Sequence, residues 1–244
     1  MRPFFVALQF LTRLPVPSSG PVQSQEWSRA AVCFPLVGVV LGGLLAAGDW
    51  VARQGWGLPA ASALVLVTSL ALTGALHLDG LMDTCDGLFG PGDRKRRLEI
   101  MRDSRVGAFG VLGAVSVLLL KYSLLLELSG DWRWRVILLM PVLGRWMMVY
   151  ALAFCPPARE EGLGYTLATA TQGKHWAGAS VVALAATWTL FPAEKALLLL
   201  GGAWVGGMLV SRFLQAALGG LTGDTYGALN ELVEVATLAL AVWG

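Results

Sequence analysis

Three aspartates and a histidine stand within eleven residues at 77–87, HLDGLMDTCDG. Read as helix, Asp79, Asp83 and Asp86 are spaced by four and three, so they share one stripe within roughly 60° of arc. His77 points away from that stripe unless the helix breaks before it. Three carboxylates on one stripe repel one another unless a cation sits between them. Hard oxygen donors suit Mg²⁺ or Mn²⁺, and Mg²⁺ commonly joins a few carboxylates to the phosphates of a substrate. A solvated cap without a ligand is the alternative for the aspartates, and a hydrogen bond between helices is the alternative for His77.

Other segments carry matching chemistry. In MRDSRVGAFG (101–110), Arg102 and Arg105 precede Gly107 and the start of an apolar run. Guanidinium groups beside a helix N-terminus form a site for phosphate oxygens, with a plain topology or lipid anchor as the alternative. The preceding Arg94-Lys95-Arg96-Arg97 reads instead as a topology signal and a contact for anionic lipid. The glycine-rich turn 218–227, LGGLTGDTYG, lets backbone approach a ligand closely around Thr222, Gly223 and Asp224. Asp224, Glu231 and Glu234 follow one helix stripe. An acidic residue inside a span is a functional candidate by default, with an internal pair from Glu234 to Arg212 or Lys121 as the competing reading.

Most of the chain is apolar. Of 244 residues 56% are hydrophobic and 14% charged, and mean hydropathy is +0.64, whereas soluble domains carry about 25% charged residues. A net charge of +2 gives no support to nucleic-acid binding. Cys33, Cys85 and Cys155 form neither a disulfide framework nor a zinc pair, which suits free thiols. Arg13-Leu14-Pro15-Val16-Pro17 interrupts the first apolar stretch, so no signal peptide is expected. Apolar runs predict about seven membrane-spanning helices near 31–52, 58–76, 106–128, 134–155, 176–192, 196–218 and 226–243. A short N-terminal helix within 3–14 would lie in the interface. The expected fold is all-α, a single polytopic integral membrane bundle over 1–244.

Orientation follows from the basic residues. Eleven Lys and Arg fall in the N-terminal segment and the loops 77–105 and 156–175, against four (Arg53, Arg133, Arg135, Lys195) in the opposite set. The basic side should face the cytoplasm, with Gly244 outside. The Asp cluster, Arg102, Arg105, Arg159-Glu160-Glu161-Gly162-Leu163-Gly164 and the Gly223-Asp224 turn then share the cytoplasmic face, with Arg145 in the inner half of its span. Acidic metal ligands, phosphate-binding arginines and glycine turns on one face suit metal-assisted phosphoryl transfer. Two rivals stay open. A CDP-alcohol-type phospholipid headgroup transferase also uses membrane aspartates, although the usual DG-x₂-AR start is absent. An ion-coupled transporter would use Lys121, Arg145, Glu231 and Glu234, but should place them at mid-bilayer between repeated halves, and no repeat is visible.

The chain resembles the cobalamin synthase family, the adenosylcobinamide-GDP ribazoletransferases. FLTRLPVP (10–17), FPLVG (34–38), GALHLDGLMDTCDGLFG (74–90), LEIMRDSRVGAFG (98–110), REEGLG (159–164) and GGLTGDTYGALNE (219–231) carry the likeness. Asn230 is the one polar residue where an apolar one is expected. The resemblance implies a multi-pass enzyme of the bacterial cytoplasmic (inner) membrane that uses Mg²⁺, with Mn²⁺ as a substitute. It would join adenosylcobinamide-GDP to α-ribazole or its 5′-phosphate, release GMP, contact lipid, form homo-oligomers and meet other enzymes of the pathway. It implies that Asp79, Asp83, Asp86 and Glu231 hold metal. Asp83, His77, Arg102, Arg105 and Asp224 would be catalytic, one aspartate or His77 serving as base. Arg13, Lys121, Arg145, Arg159, Gly107, Thr222 and Gly223 would bind substrate.

Overall fold

The computed structural model describes residues 1–17, 20–128 and 130–243. Among them the chain forms twelve helices: α1 (Arg2–Leu11), α2 (Ser24–Val32), α3 (Phe34–Ala52), α4 (Leu58–Thr73), α5 (Leu76–Phe89), α6 (Arg94–Ile100), α7 (Ala108–Glu127), α8 (Trp132–Phe154), α9 (Leu163–Ala170), α10 (Gly173–Leu190), α11 (Ala193–Leu218) and α12 (Gly223–Trp243). The expected all-α membrane bundle is therefore observed. Helices occupy all seven expected span positions, yet four of them (α3, α7, α8, α11) are long and apolar enough to cross alone, and α4 with α5 makes a fifth if a bent pair counts as one span. Polar residues account for the shortfall: Lys174 and His175 open α10, and Asp224, Asn230, Glu231 and Glu234 interrupt α12. The expected outside position of Gly244 lies beyond the described residues.

Helix α8 is the axis of the bundle and is buried along most of its length. It packs on α3 without intervening side chains, because Gly38 and Gly42 face the backbone of Pro141–Val142 and of Leu138. Any Cβ at these two positions would overlap that backbone, the close approach that small residues four apart allow in membranes. The main core draws on α1, α3, α8, α10, α11 and α12. A smaller one joins α5, α7 and α12 through Leu78, Leu81, Ala114, Val117 and Ala228. The N-terminal helix forms as expected, but Val6, Ala7, Leu8 and Leu11 on its inner face enter the main core.

The run from 58 towards the aspartates is not one continuous helix. It breaks at Gly74 and Ala75, both left-handed (φ 62° and 56°), and α5 leaves at 90° to α4. The Ala75 amide donates to Leu70 O, as in a helix-ending Schellman turn. Arg13 guards the break. Its backbone N–H donates to Leu72 O at 2.7 Å, and its side chain covers Gly74 so closely that a Cβ there would push it aside.

The end of the bundle away from the aspartates is tied by a buried charge pair. Arg133 at the start of α8 bonds Asp49 near the end of α3 (Nη2–Oδ1 2.6 Å), Ser62 Oγ of α4 (3.0 Å) and the Leu125 carbonyl of α7. Arg133, expected in an outer loop, is instead 0% exposed, because four helix ends converge on it. Exposed Trp50, Trp132, Trp134, Trp188 and Trp243 on helices, and Trp56 in the α3–α4 loop, gather at this same end, the aromatic belt expected where helices leave a bilayer.

Candidate active site

Helix α5 crosses α12 at the other end. Gly80 lies against the backbone of Asp224, and Gly227 against the backbone of His77. This glycine-to-glycine crossing brings the first turn of α12 onto the acidic face of α5. Asp79 is exposed, Asp83 half-buried and Asp86 buried. The charge of Asp83 is felt against Asp224, Asp79 and Asp86, with Arg159 opposing them. Asp224 is placed by its cap: the Thr222 amide donates to Thr225 Oγ1 (2.8 Å), and the Thr225 amide donates back to Thr222 Oγ1. The Thr222 hydroxyl (3.2 Å) and Arg159 Nη1 (3.3 Å) both donate to Asp224 Oδ2. Backbone bonds from Ala158 to Leu221 O and from Leu221 to Pro156 O clip the 156–162 loop to the glycine-rich turn. Sequence positions 83, 159 and 224, far apart along the chain, thus meet.

Two hollows open beside this crossing. A cavity of about 170 Å³ is bounded by Phe10, Phe34, Met148, Leu152 and Leu167, with His77, Asp79, Gly223, Asp224 and Tyr226 in its wall. A groove of about 640 Å³ is lined by Lys95, Glu99, Arg102, Arg159, Glu160 and Glu161. The Arg159–Asp224 contact links the two hollows. Arg102 bonds Glu161 at 2.7 Å, and Arg159 also donates to Leu98 O.

Several expected site residues have other occupations. Asp86 does not join Asp79 and Asp83 as an open ligand: its carboxylate accepts from Gly107 N (2.7 Å) and Gly110 N (2.8 Å). It therefore occupies the α7 N-terminus expected to receive phosphate, and it uses the Gly107 amide expected to bind substrate. A carboxylate is favoured there by the unpaired amides and the helix dipole. Arg105 points outward, its side chain 87% exposed, and pairs with Asp103 at 2.6 Å. The guanidinium holds the Asp103 carboxyl down at about 2. Arg13 caps the α4–α5 break and lines neither hollow.

Glu231 and Lys121 lie deeper, in a buried network. Lys121 Nζ bonds Glu231 (2.7 Å) and Glu234 (2.6 Å). Arg145 Nη1 bonds Glu234 (3.1 Å) and Asn230 Oδ1 (3.3 Å), while Asn230 Nδ2 donates to Glu234 (3.0 Å). The internal pairing of Glu234 with Lys121 is thus present, and Glu231 is drawn away from the aspartates. Arg145 Nη2 lies 3.4 Å from His77 Nδ1, so the network ends at the cavity wall. Asn230, read as a matter of local packing, is a fully buried member of it. Neither Asn230 nor Tyr226 was singled out in the sequence as a site residue, although both lie in the 219–231 block. Asp49 was missed too, because its partner is 84 residues away.

Among the described residues no three His, Cys, Asp or Glu side chains gather closely enough to cage a metal alone. Asp79 and Asp224 nevertheless stand in one cavity wall, with the charge of Asp83 close to both. Such a partial set fits Mg²⁺, which usually completes its shell with water and substrate phosphate.

Comparison with known proteins places the chain in a family. The sequence profile of the family described as cobalamin-5-phosphate synthase matches residues 3–242. An adenosylcobinamide-GDP ribazoletransferase of Roseiflexus sp. (strain RS-1) is 43% identical over 237 residues, covering 97% of this chain and 88% of that protein. One from Herpetosiphon aurantiacus is 41% identical over 236 residues, covering 96% and 93%. A third, from Thermoanaerobacter pseudethanolicus, is 36% identical over 234 residues, covering 96% and 94%. No solved structure matches. With profile and relatives aligned along almost the whole chain, including every block that builds the α5–α12 crossing, the chain belongs to the cobalamin-5-phosphate synthase family.

Proposed function

We propose that this protein transfers the adenosylcobinamide phosphate group from adenosylcobinamide-GDP to a ribose hydroxyl of α-ribazole or its 5′-phosphate, with GMP as the leaving group. The observation that carries the reading is the placing of Asp79 and Asp224 in the wall of an apolar cavity beside an arginine-bearing groove, with Asp83 close to both. Nucleotide phosphates fit the groove beside Arg102 and Arg159, and the acceptor approaches from the cavity side. The acceptor oxygen forms a bond to the cobinamide-linked phosphorus, and the bond from that phosphorus to the GMP oxygen breaks. An aspartate of the trio takes the hydroxyl proton. His77 is unsuited to that task, because Nδ1 faces a guanidinium that only donates, which leaves the ring proton on Nε2.

Asp79, Asp83 and Asp224 would hold Mg²⁺ together with the diphosphate. When bound, the ion neutralises charge on the phosphates and the leaving group. Arg159 keeps Asp224 turned towards the crossing. The buried Lys121–Glu231–Glu234–Arg145 network holds α7, α8 and α12 in register behind the site. The bias of basic residues to this end supports a cytoplasmic active site in a bacterial inner membrane. Neither rival gains from the structure: Lys121, Arg145, Glu231 and Glu234, the coupling groups a transporter would need, are paired with one another. The test is purified protein in detergent or liposomes, supplied with adenosylcobinamide-GDP, α-ribazole and Mg²⁺. GMP should appear in step with the cobalamin product, and no GMP release above a no-enzyme control would sink the proposal.

A further inference from the structure

The cavity holds two polar groups that the transfer chemistry leaves unused. His77 is 2% exposed and Tyr226 3%. Neither His77 Nε2 nor the Tyr226 hydroxyl has a hydrogen-bond partner among the described residues, and both residues line the cavity. Buried polar atoms are rarely left unpaired, since desolvation is then uncompensated. Arg145 Nη2 sits 3.4 Å from His77 Nδ1 and can only donate, so Nε2 carries the hydrogen and is a donor awaiting an acceptor. The opposing walls are Phe10, Phe34, Met148 and Leu167, flat or polarisable groups that suit an aromatic ring. The volume of about 170 Å³ compares with apolar cavities of about 150 Å³ that admit benzene.

We propose that this cavity takes the flat heteroaromatic base of the acceptor nucleoside, with His77 Nε2–H donating to an unsubstituted ring nitrogen and the Tyr226 hydroxyl as a second polar contact. The proposal rests on the transfer reaction above, whose acceptor is a nucleoside of this class. Asp79 and Asp224 stand in the same wall, so a base seated here would leave its sugar facing the carboxylates. Arg145 is then a positioning residue: it sets the tautomer of His77 without touching the base.

The experiment compares two probes on the purified full-length protein by calorimetry, benzimidazole riboside and indole riboside, which differ by a ring nitrogen against C–H. Wild-type protein should bind the benzimidazole riboside about tenfold tighter or more. His77→Leu should remove that preference with little change for the indole riboside, and Leu167→Trp should weaken both by filling the cavity. Equal binding of the two probes by wild-type protein would overturn the proposal without recourse to any variant. A folded His77→Leu protein that keeps the preference would overturn it as well. GMP release, measured in parallel, separates the two readings. Probe discrimination without transfer would refute the reaction and leave the cavity assignment standing, and transfer without discrimination would do the reverse.

Discussion

Asp83 is the carboxylate most surrounded by its own kind, facing Asp79, Asp86 and Asp224 with Arg159 as the opposing cation. Asp83→Asn keeps the shape and removes the charge that would hold metal or take a proton. Turnover should fall by ~10²-fold or more while the melting temperature holds, and excess EDTA should silence the wild type equally. Near-normal GMP release in either case would remove Asp83 and the metal from the mechanism. The arginines separate in the same way. The exposed Arg102–Glu161 bridge is of the kind worth ~0–1 kcal/mol, so Arg102 is readily released to a phosphate in its groove. Lysine keeps the charge and loses the fork, so Arg102→Lys should cost about tenfold to a hundredfold in kcat/KM. Arg105, turned outward onto Asp103, and Arg96, paired with Glu99 on α6, should tolerate lysine almost silently. Equal losses at 96, 102 and 105, measured by steady-state kinetics in matched detergent, would refute the phosphate role of Arg102.

Helix termini decide which acidic residues remain open. The three aspartates of α5 share one stripe, but the stripe runs past the start of α7, and Asp86 is captured there by two amides. Asp86→Ala should destabilise the protein by ~1–3 kcal/mol, seen as a lower melting temperature, with Asp86→Asn milder because one acceptor remains. The Mg²⁺ concentration for half-maximal rate should stay unchanged in Asp86→Asn and rise in Asp83→Asn. A rise in both would return Asp86 to the metal site. The break at Gly74–Ala75 matters at the same scale. It turns α5 by 90° from α4, so His77 and Asp79 enter the cavity wall beside Asp224.

Across the whole molecule, charges are sorted by end. One end carries the aspartate cluster and most of the basic residues, and the other carries a tryptophan belt around the buried Asp49–Arg133 pair. Asp49→Ala leaves a guanidinium buried among four helices with Ser62 and one carbonyl. This should cost ~3–5 kcal/mol, so the variant should melt far below wild type, whereas a shift of a degree or two would show that water reaches Arg133. The basic asymmetry also predicts sidedness. A cysteine at Arg96, in a background with Cys33, Cys85 and Cys155 replaced, should resist an impermeant thiol reagent on intact cells and react after permeabilisation. Labelling from outside would place the active site on the wrong face.

The all-helical membrane class and the rough position of every long helix were determined by sequence alone, as was the expectation that Asp79, Asp83, Arg102, Arg159 and Asp224 share one face. Each follows from local pattern: apolar runs of spanning length, a 3.6-residue repeat, and clustered basic residues between runs. Tertiary structure alone decided which of those charges stay open. Asp86, Glu231, Lys121 and Gly107 are of the right types, yet each is used up by a partner 21 to 110 residues away. Spacing along one helix cannot report a neighbour on another. The same holds for Arg133, a loop cation by position and a core residue by packing, and for Asn230, which looks misplaced until Arg145 and Glu234 surround it. In an apolar interior a charge without a partner is too costly to keep, so the helix crossings set which carboxylates pair internally and which face the opening.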